Sequence, residues 1–458
     1  MMCKHKALMF MPVCAFLVTW VGCTQFVEWR GGGIPKLVVR KSGPDVSRLN
    51  EQRQSDSASD SVLELPEVAQ IPYWTTFRGP AGDGVYYEQQ ILTDWPKGGP
   101  NVLWRKLIGG GHSSFTIANG LVFTIEQQGT NEMISAFNIQ DGTVKWTHEY
   151  FAKFEEYFGD VGPRSTPVWN NGRLFSMGAK GHLNCLEAKS GRLLWNKNLI
   201  KENNVEIPNW GVSGSPFVYQ NTVVVVPGGN SDNAIVALDV KTGKKVWSTF
   251  NGTQVYSTPV LLNILDSEQL VVPLTDKLIS INPANGKLYW SHPWKIFVNN
   301  SNISQPVRLS DDIILISAGY GTGAEAFRVI PNGDSMRTLT LWKSKSLKTK
   351  FSSPIFWKGY LYGMNENQLV CLDANDGFLK WRGAKYGYGQ IIAASDHLII
   401  LRDSGDLTLV EMNPDRFVEK ANFKALKGGR TWNTPALAHG LLFVRNSYEM
   451  ACFDLRTN

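Results

Sequence analysis

Ala237-Leu-Asp239-Val-Lys-Thr-Gly243-Lys-Lys-Val-Trp247 recurs along the chain. Related copies are Ala136-Phe-Asn138-Ile-Gln-Asp-Gly142-Thr-Val-Lys-Trp146 and Cys185-Leu-Glu187-Ala-Lys-Ser-Gly191-Arg-Leu-Leu-Trp195. Two more are Ser280-Ile-Asn282-Pro-Ala-Asn-Gly286-Lys-Leu-Tyr-Trp290 and Cys371-Leu-Asp373-Ala-Asn-Asp-Gly377-Phe-Leu-Lys-Trp381. Each reads as a strand, a tight turn and a second strand. The Asp or Asn side chain bonds backbone amides at the turn, and the Gly supplies the positive φ that other residues resist. The Trp four residues later lies on the second strand and faces a buried surface. A period of about 40–50 residues with four short strands per unit marks a radial β array.

A second landmark counts the units. A small polar residue precedes Pro and then a strand at Thr166-Pro167, Ser215-Pro216, Thr258-Pro259, Gln305-Pro306, Ser353-Pro354 and Thr434-Pro435. Pro is tolerated at the first residue of a strand. Ser113-Ser114-Phe115 and Gln390-Ile391-Ile392 hold the same place without Pro, which makes eight. Seven would require one degenerate unit to be an insertion. Two units are irregular: one replaces the turn by residues 330–335 and keeps Trp342, and one over 407–426 has no Trp, with Phe423 as its expected stand-in.

The chain's ends are complementary. Asn101-Val-Leu-Trp104 looks like a second half-repeat without its first, and Ala451-Cys-Phe453-Asp454 like a first half without its Trp strand. The expected fold is therefore all-β: an eight-bladed propeller of four-stranded blades, closed when the strand near Trp104 completes the last blade. Closure leaves no wide exposed edges. A ring closed in this way is expected to be monomeric.

Composition agrees. The 458 residues are 43% hydrophobic, with 16 Trp and 43 Gly, which suits repeats that each need a packing aromatic and a turn glycine. The net charge of +6 comes largely from the N-terminus, and no basic stripe points to nucleic acid. Of the six cysteines, Cys3, Cys14 and Cys23 lie near the N-terminus, while Cys185, Cys371 and Cys452 fill one repeat position and read as small buried thiols. Residues 1–23 carry Lys4 and Lys6, an apolar run from Ala7 to Val21, then Gly22-Cys23, the layout of an export signal. That run would span only about 22 Å as a helix, too short to cross a membrane. Gly22-Cys23 resembles a bacterial lipobox, although Trp20 stands where Leu is usual, so lipidation at Cys23, ordinary cleavage and an uncleaved anchor remain open. Residues 24–70, poor in large apolar side chains over 42–61, are expected to form a flexible linker, and 71–458 the propeller.

The motif Ala-x-Asp-x-x-Thr-Gly-Lys-x-x-Trp at 237–247 resembles the pyrroloquinoline-quinone-type propeller repeat, over roughly residues 100–458. The resemblance implies that Trp104, Trp146, Trp195, Trp247, Trp290, Trp342 and Trp381 dock between neighbouring blades. It also implies one of two functional kinds: quinone-dependent alcohol and sugar dehydrogenases, or cofactor-free exported propellers such as a lipoprotein of the outer-membrane β-barrel assembly machinery. Phe77-Arg-Gly-Pro80, Gly82-Asp-Gly84 and Pro208-Asn-Trp210-Gly-Val-Ser-Gly-Ser-Pro216 resemble a group of exported bacterial quinone-repeat propellers.

A quinone dehydrogenase needs Ca²⁺ as Lewis acid, oxygen ligands for it, and a carboxylate base. The alcohol dehydrogenases of the family also carry an adjacent cysteine pair, and none exists here. Asp141, Asp239 and Asp376 sit inside the turn motif, where turn stabilisation accounts for them. Glu155, Glu156 and Asp160 read as a solvated loop face, and His112 after Gly109-Gly-Gly111 as a loop residue that faces the central funnel. No Gly-x-Ser-x-Gly elbow or zinc cluster appears. The favoured reading is a non-enzymatic, exported, cofactor-free scaffold for a protein or peptide partner, facing the periplasm and held at the membrane if the N-terminus anchors it. Arg164, Trp210, Tyr256, Glu155 and Glu156 are its expected contact residues. The alternative is a periplasmic oxidoreductase using the quinone with Ca²⁺.

Overall fold

The computed structural model describes residues 25–28, 36–39, 46–57, 73–156, 159–253, 255–296, 301–333 and 335–457. Residues 1–41 and 42–458 are two compact units. In the first, β1 (Gln25–Glu28) and β2 (Lys36–Val39) pair antiparallel. The expected export signal and Cys23 lie outside the described residues.

Beside the two-stranded pair Glu155–Glu156 with Asp160–Val161, the second unit holds eight larger sheets among its described residues, at residues 116–151, 168–198, 217–249, 260–293, 307–344, 355–385, 390–424 and 436–454. We number these blades 1–8. Each is a four-stranded antiparallel meander, and blade 8 takes its fourth strand from β4 (Asn101–Leu107), with Trp104 opposite Cys452. This is an eight-bladed β-propeller closed by its N-terminal strand. A short strand, β3 (Val85–Tyr86), adds parallel to the first strand of blade 7.

The recurring motif joins blades as well as turning the chain. Asp239 Oδ1 accepts from the Lys241 and Thr242 amides at 3.1 and 2.8 Å, and Gly243 follows at φ 67. A bulge after Ala237 sets Trp247 opposite that small residue. The indole then leans on the next blade. Trp104, Trp146, Trp195 and Trp342 donate from Nε1 to the carbonyls of Ile139, Ala188, Val240 and Ala374 at 2.9–3.1 Å. Each of those acceptors follows the acidic or Asn residue of the next motif. The turn glycine lies beneath the ring: a Cβ on Gly142 would stand 2.7 Å from the Trp104 indole. Trp290 precedes the blade whose hairpin lacks this turn, and it bonds Gln269 Oε1 of its own blade instead. Phe423 does lie between blades, 5.4 Å from Phe453, but two residues beyond the Trp place, which Ala421 occupies opposite Leu409.

The polar residue at the head of each first strand has an equally definite task. Ser114 Oγ donates to Thr434 O, the Ser114 amide to Thr166 Oγ1, the Thr166 amide to Ser215 Oγ, and the Ser215 amide to Thr258 Oγ1. Gln305 bonds Thr258 O through its side chain and Ser353 Oγ through its amide. Gln390 bonds Phe351 O and accepts from Thr434 Oγ1. These eight links, all 2.6–3.3 Å, cross all eight seams. An innermost strand has an unpaired edge, and the neighbour's hydroxyl or amide supplies the partner that edge lacks.

Two N-terminal pieces complete the unit. Residues 74–86 cross the channel at the end where strands 1 and 2 turn: Trp74 O accepts from Ile117 of blade 1, Thr75 O from Trp169 of blade 2, and Gly84 O from Ala393 of blade 7. The helix α1 (Val46–Ser57) stands within the stretch expected to be a flexible linker. It buries only Leu49 and is held by polar contacts: the Leu107 amide to Gln52, Lys106 to Asp56 at 2.6 Å, and Arg53 to Glu126. A sequence reading keyed to apolar content misses such a helix.

Candidate functional site

The mouth opposite the N-terminal segment is built from the loops that enter each first strand. Two residues before each head position the eight blades place His112, Arg164, Ser213, Tyr256, Ile303, Phe351, Tyr388 and Trp432. Between them and the heads stand mainly Ser and Gly, which keep the channel wall thin. Four of the eight form an arc over blades 6, 7, 8 and 1. Ring centroids are 5.3 Å apart for Phe351–Tyr388, 4.6 Å for Phe351–Trp432 and 5.4 Å for Trp432–His112. Phe351 and Trp432 come from blades that are not neighbours, so their contact requires both rings to turn toward the axis. Cations cover the arc. Lys350 Nζ lies 4.5 Å from the Tyr388 ring and 4.7 Å from Tyr320, and Arg430 stacks 4.4 Å over Trp432. Such contacts hold a cation in place without neutralising it.

His112 is anchored from behind. Its Nε2 meets Gly159 O at 2.7 Å, and burial, with the charge of Arg164, pushes its pKa down to about 3. It is neutral at physiological pH. The loop before it is pinned by a buried charge cluster: Glu126 accepts from Arg53, the Gly109 amide and Ser135, while Arg445 donates to Gly109 O at 2.9 Å and to Thr124 Oγ1 at 2.8 Å. Arg445 is wholly buried.

The expected contact residues sit on the other half of the mouth. Arg164 donates to Trp210 O, to Glu156 at 3.2 Å and to Gly159 O at 2.9 Å, and Tyr256 lies against the same group. Four of the five therefore meet in one clasp. Within it Tyr256 is buried, and Arg164 is held by the insertion over 150–160, where Glu155–Glu156 pairs with Asp160–Val161. Glu155 is exposed beside Lys153. The aromatic arc was not singled out in the sequence, because its members share a place and not a residue type. Aligning the eight loops on their head residues would have found it.

The carboxylates are spread thinly. Among the described residues no three His, Cys, Asp or Glu side chains gather at one point. Asp141, Asp239 and Asp376 each cap their own turn. Cys185, Cys371 and Cys452 are buried and free, each opposite a docking Trp. The side chains of the arc supply stacking faces and cations.

Eight blades, six of them with a Trp docked against the next turn, place the protein among propellers of the pyrroloquinoline-quinone-type repeat. The family model described as outer membrane protein assembly factor BamB matches residues 131–383, and the chain belongs to that family. It is 25% identical over 224 residues to the outer membrane protein assembly factor BamB of Moranella endobia, covering 48% of this chain and 53% of that one, about half its length. It is 23% identical over 192 residues to the quinoprotein alcohol dehydrogenase PedH of Pseudomonas putida, covering 39% and 30%. The crystal structure of BamB from Moraxella catarrhalis superposes with a TM-score of 0.57 at 12% identity, over 78% of this chain and 100% of that one.

Proposed function

We propose that this chain is an exported, non-enzymatic propeller that binds a protein or peptide partner in the cell envelope through the mouth that carries the aromatic arc. The observation that carries this reading is the arc itself: Phe351, Trp432 and His112 converge on the axis with Lys350 and Arg430 stacked on them. Aromatic rings and Arg at the centre of a concave face are the groups that dominate protein binding energies. Membership of a family described by an assembly factor supports a protein partner. A photo-crosslinking residue at position 151, where Phe151 is exposed near the mouth, should give discrete envelope adducts. The double variant Phe351→Ala/Trp432→Ala should lose them while its melting temperature stays within a few degrees of wild type. Unchanged adducts in that variant would refute the reading.

The likeness to PedH favours a second reading, a quinone-dependent oxidoreductase. A titration with pyrroloquinoline quinone and Ca²⁺, followed by quinone absorbance and melting temperature together, separates the two. Saturable, Ca²⁺-dependent stabilisation would favour the enzyme.

A further inference from the structure

We propose that Arg78 holds one small monovalent anion, chloride or a carboxylate no larger than formate, inside the axial channel. Arg78 belongs to the segment that crosses the channel and reaches blade 6, where Nη2 donates to Pro354 O at 3.2 Å and also to Asp83 O at 2.9 Å. Its side chain is almost wholly buried. Its backbone sits at φ 63, a left-handed conformation that costs a non-glycine residue energy and needs surroundings that enforce it. The Gly84 amide, donating to Arg78 O at 2.9 Å, is part of that enforcement.

The guanidinium lacks a counter-charge in contact. Both Nη2 contacts are to neutral carbonyls, and Arg78 forms no ion pair among the described residues. The nearby carboxylate, Asp83, is committed elsewhere: Oδ1 accepts from the Val85 amide and Oδ2 from the Tyr87 hydroxyl. Nη1 is buried with no partner, and so is Nε1 of Trp74 in the same segment. Both orphaned atoms are donors, and the segment orphans no acceptor. Burial lowers the Arg78 pKa only to about 10, so the charge persists at neutral pH. Asp83 acts on this charge only from a distance, and an anion in contact with Nη1 would complete the pairing that a buried cation needs.

Size and charge limit the ligand. A Cβ on Gly84 would come within 2.7 Å of Nη2 and 3.0 Å of Ile355 Cδ1, so the guanidinium is tightly enclosed. The enclosed Nη2 edge leaves Nη1 as the open side of the group, and a dianion there would over-neutralise a single cation. Chloride and formate each carry the one charge required.

The test uses the full-length protein at constant ionic strength, replacing gluconate by chloride or by formate. The melting temperature should rise by roughly 2 °C up to about 200 mM chloride, as expected for a weak site that fills. Gluconate should give no rise, and Arg78→Met should abolish the response. Crystals grown in bromide should show an anomalous peak in contact with Nη1, which decides the matter if Arg78→Met fails to fold. An equal chloride response in Arg78→Met would overturn the proposal. So would the absence of both the response and the bromide peak, which would leave Nη1 to water.

Discussion

Trp195 and Trp247 hold the same place in adjacent repeats, yet only Trp195 finds an acceptor, Val240 O at 3.1 Å, while Trp247 Nε1 is buried without one. Replacement by Phe keeps most of the ring and removes the donor. Trp195→Phe should therefore cost about 1 kcal/mol more than Trp247→Phe, the net worth of a buried hydrogen bond. Equal shifts in the denaturant midpoint would contradict this. Glu132 is a second residue whose surroundings set its behaviour. It accepts from the Tyr150 hydroxyl at 2.6 Å and the Ala179 amide at 2.9 Å, and burial raises its pKa from 4.5 to about 7. The folded carboxyl keeps its proton over a range where the unfolded one has lost it. Stability should thus fall as pH rises from 4.5 through 7. Glu132→Gln should flatten that slope and stabilise the protein at pH 8 by at most about 3 kcal/mol, with no gain near pH 4.5. Parallel pH profiles for the two proteins would contradict it.

Among the elements, α1 and the first-strand loops show what the sequence discloses and what it hides. The turn motif, the Trp strand and the polar head residue recur with fixed spacing, so blade number and ring closure were legible from Trp104, Cys452 and the Pro series. Phe423 stands two residues beyond the Trp place, on the same face of its strand, because the hairpin of blade 7 is two residues longer and carries Ala421 at the docking position. The helix α1 was illegible for a different reason: its docking depends on Gln52, Arg53 and Asp56, which look like solvated side chains until Leu107, Glu126 and Lys106 are brought to them in space. The two arginines at Glu126 should differ in weight. Arg445→Leu removes three backbone and hydroxyl contacts from a wholly buried site and should cost about 3–5 kcal/mol. Arg53→Met, from a partly exposed side chain, should cost much less and chiefly raise hydrogen exchange in α1. Equal losses from the two variants would count against this ranking.

For the whole molecule the decisive joint is β4 in blade 8. Six residue pairs, from Glu449↔Leu107 to Asp454↔Asn101, hold the chain's two ends together. Deleting residues 1–107 would leave blade 8 with three strands and an open edge, and would remove the acceptor–donor pair Ile139–Trp104 that ties it to blade 1. Such a truncation should lower the melting temperature sharply and broaden the unfolding transition, and it should self-associate through the exposed strand. A sharp transition at the wild-type temperature would show that closure is dispensable.

The eight hydrogen bonds at the strand heads bear on how the protein comes apart. An open array of repeats has two terminal units with one neighbour each, and these fray first. Here every unit has two neighbours, since the link from Ser114 to Thr434 joins first to last. A hoop with no loose end offers no place to start peeling. Disassembly must therefore begin by cutting through a seam in mid-circle, so unfolding is expected to be slow and nearly all-or-none despite the chain's repetitive build.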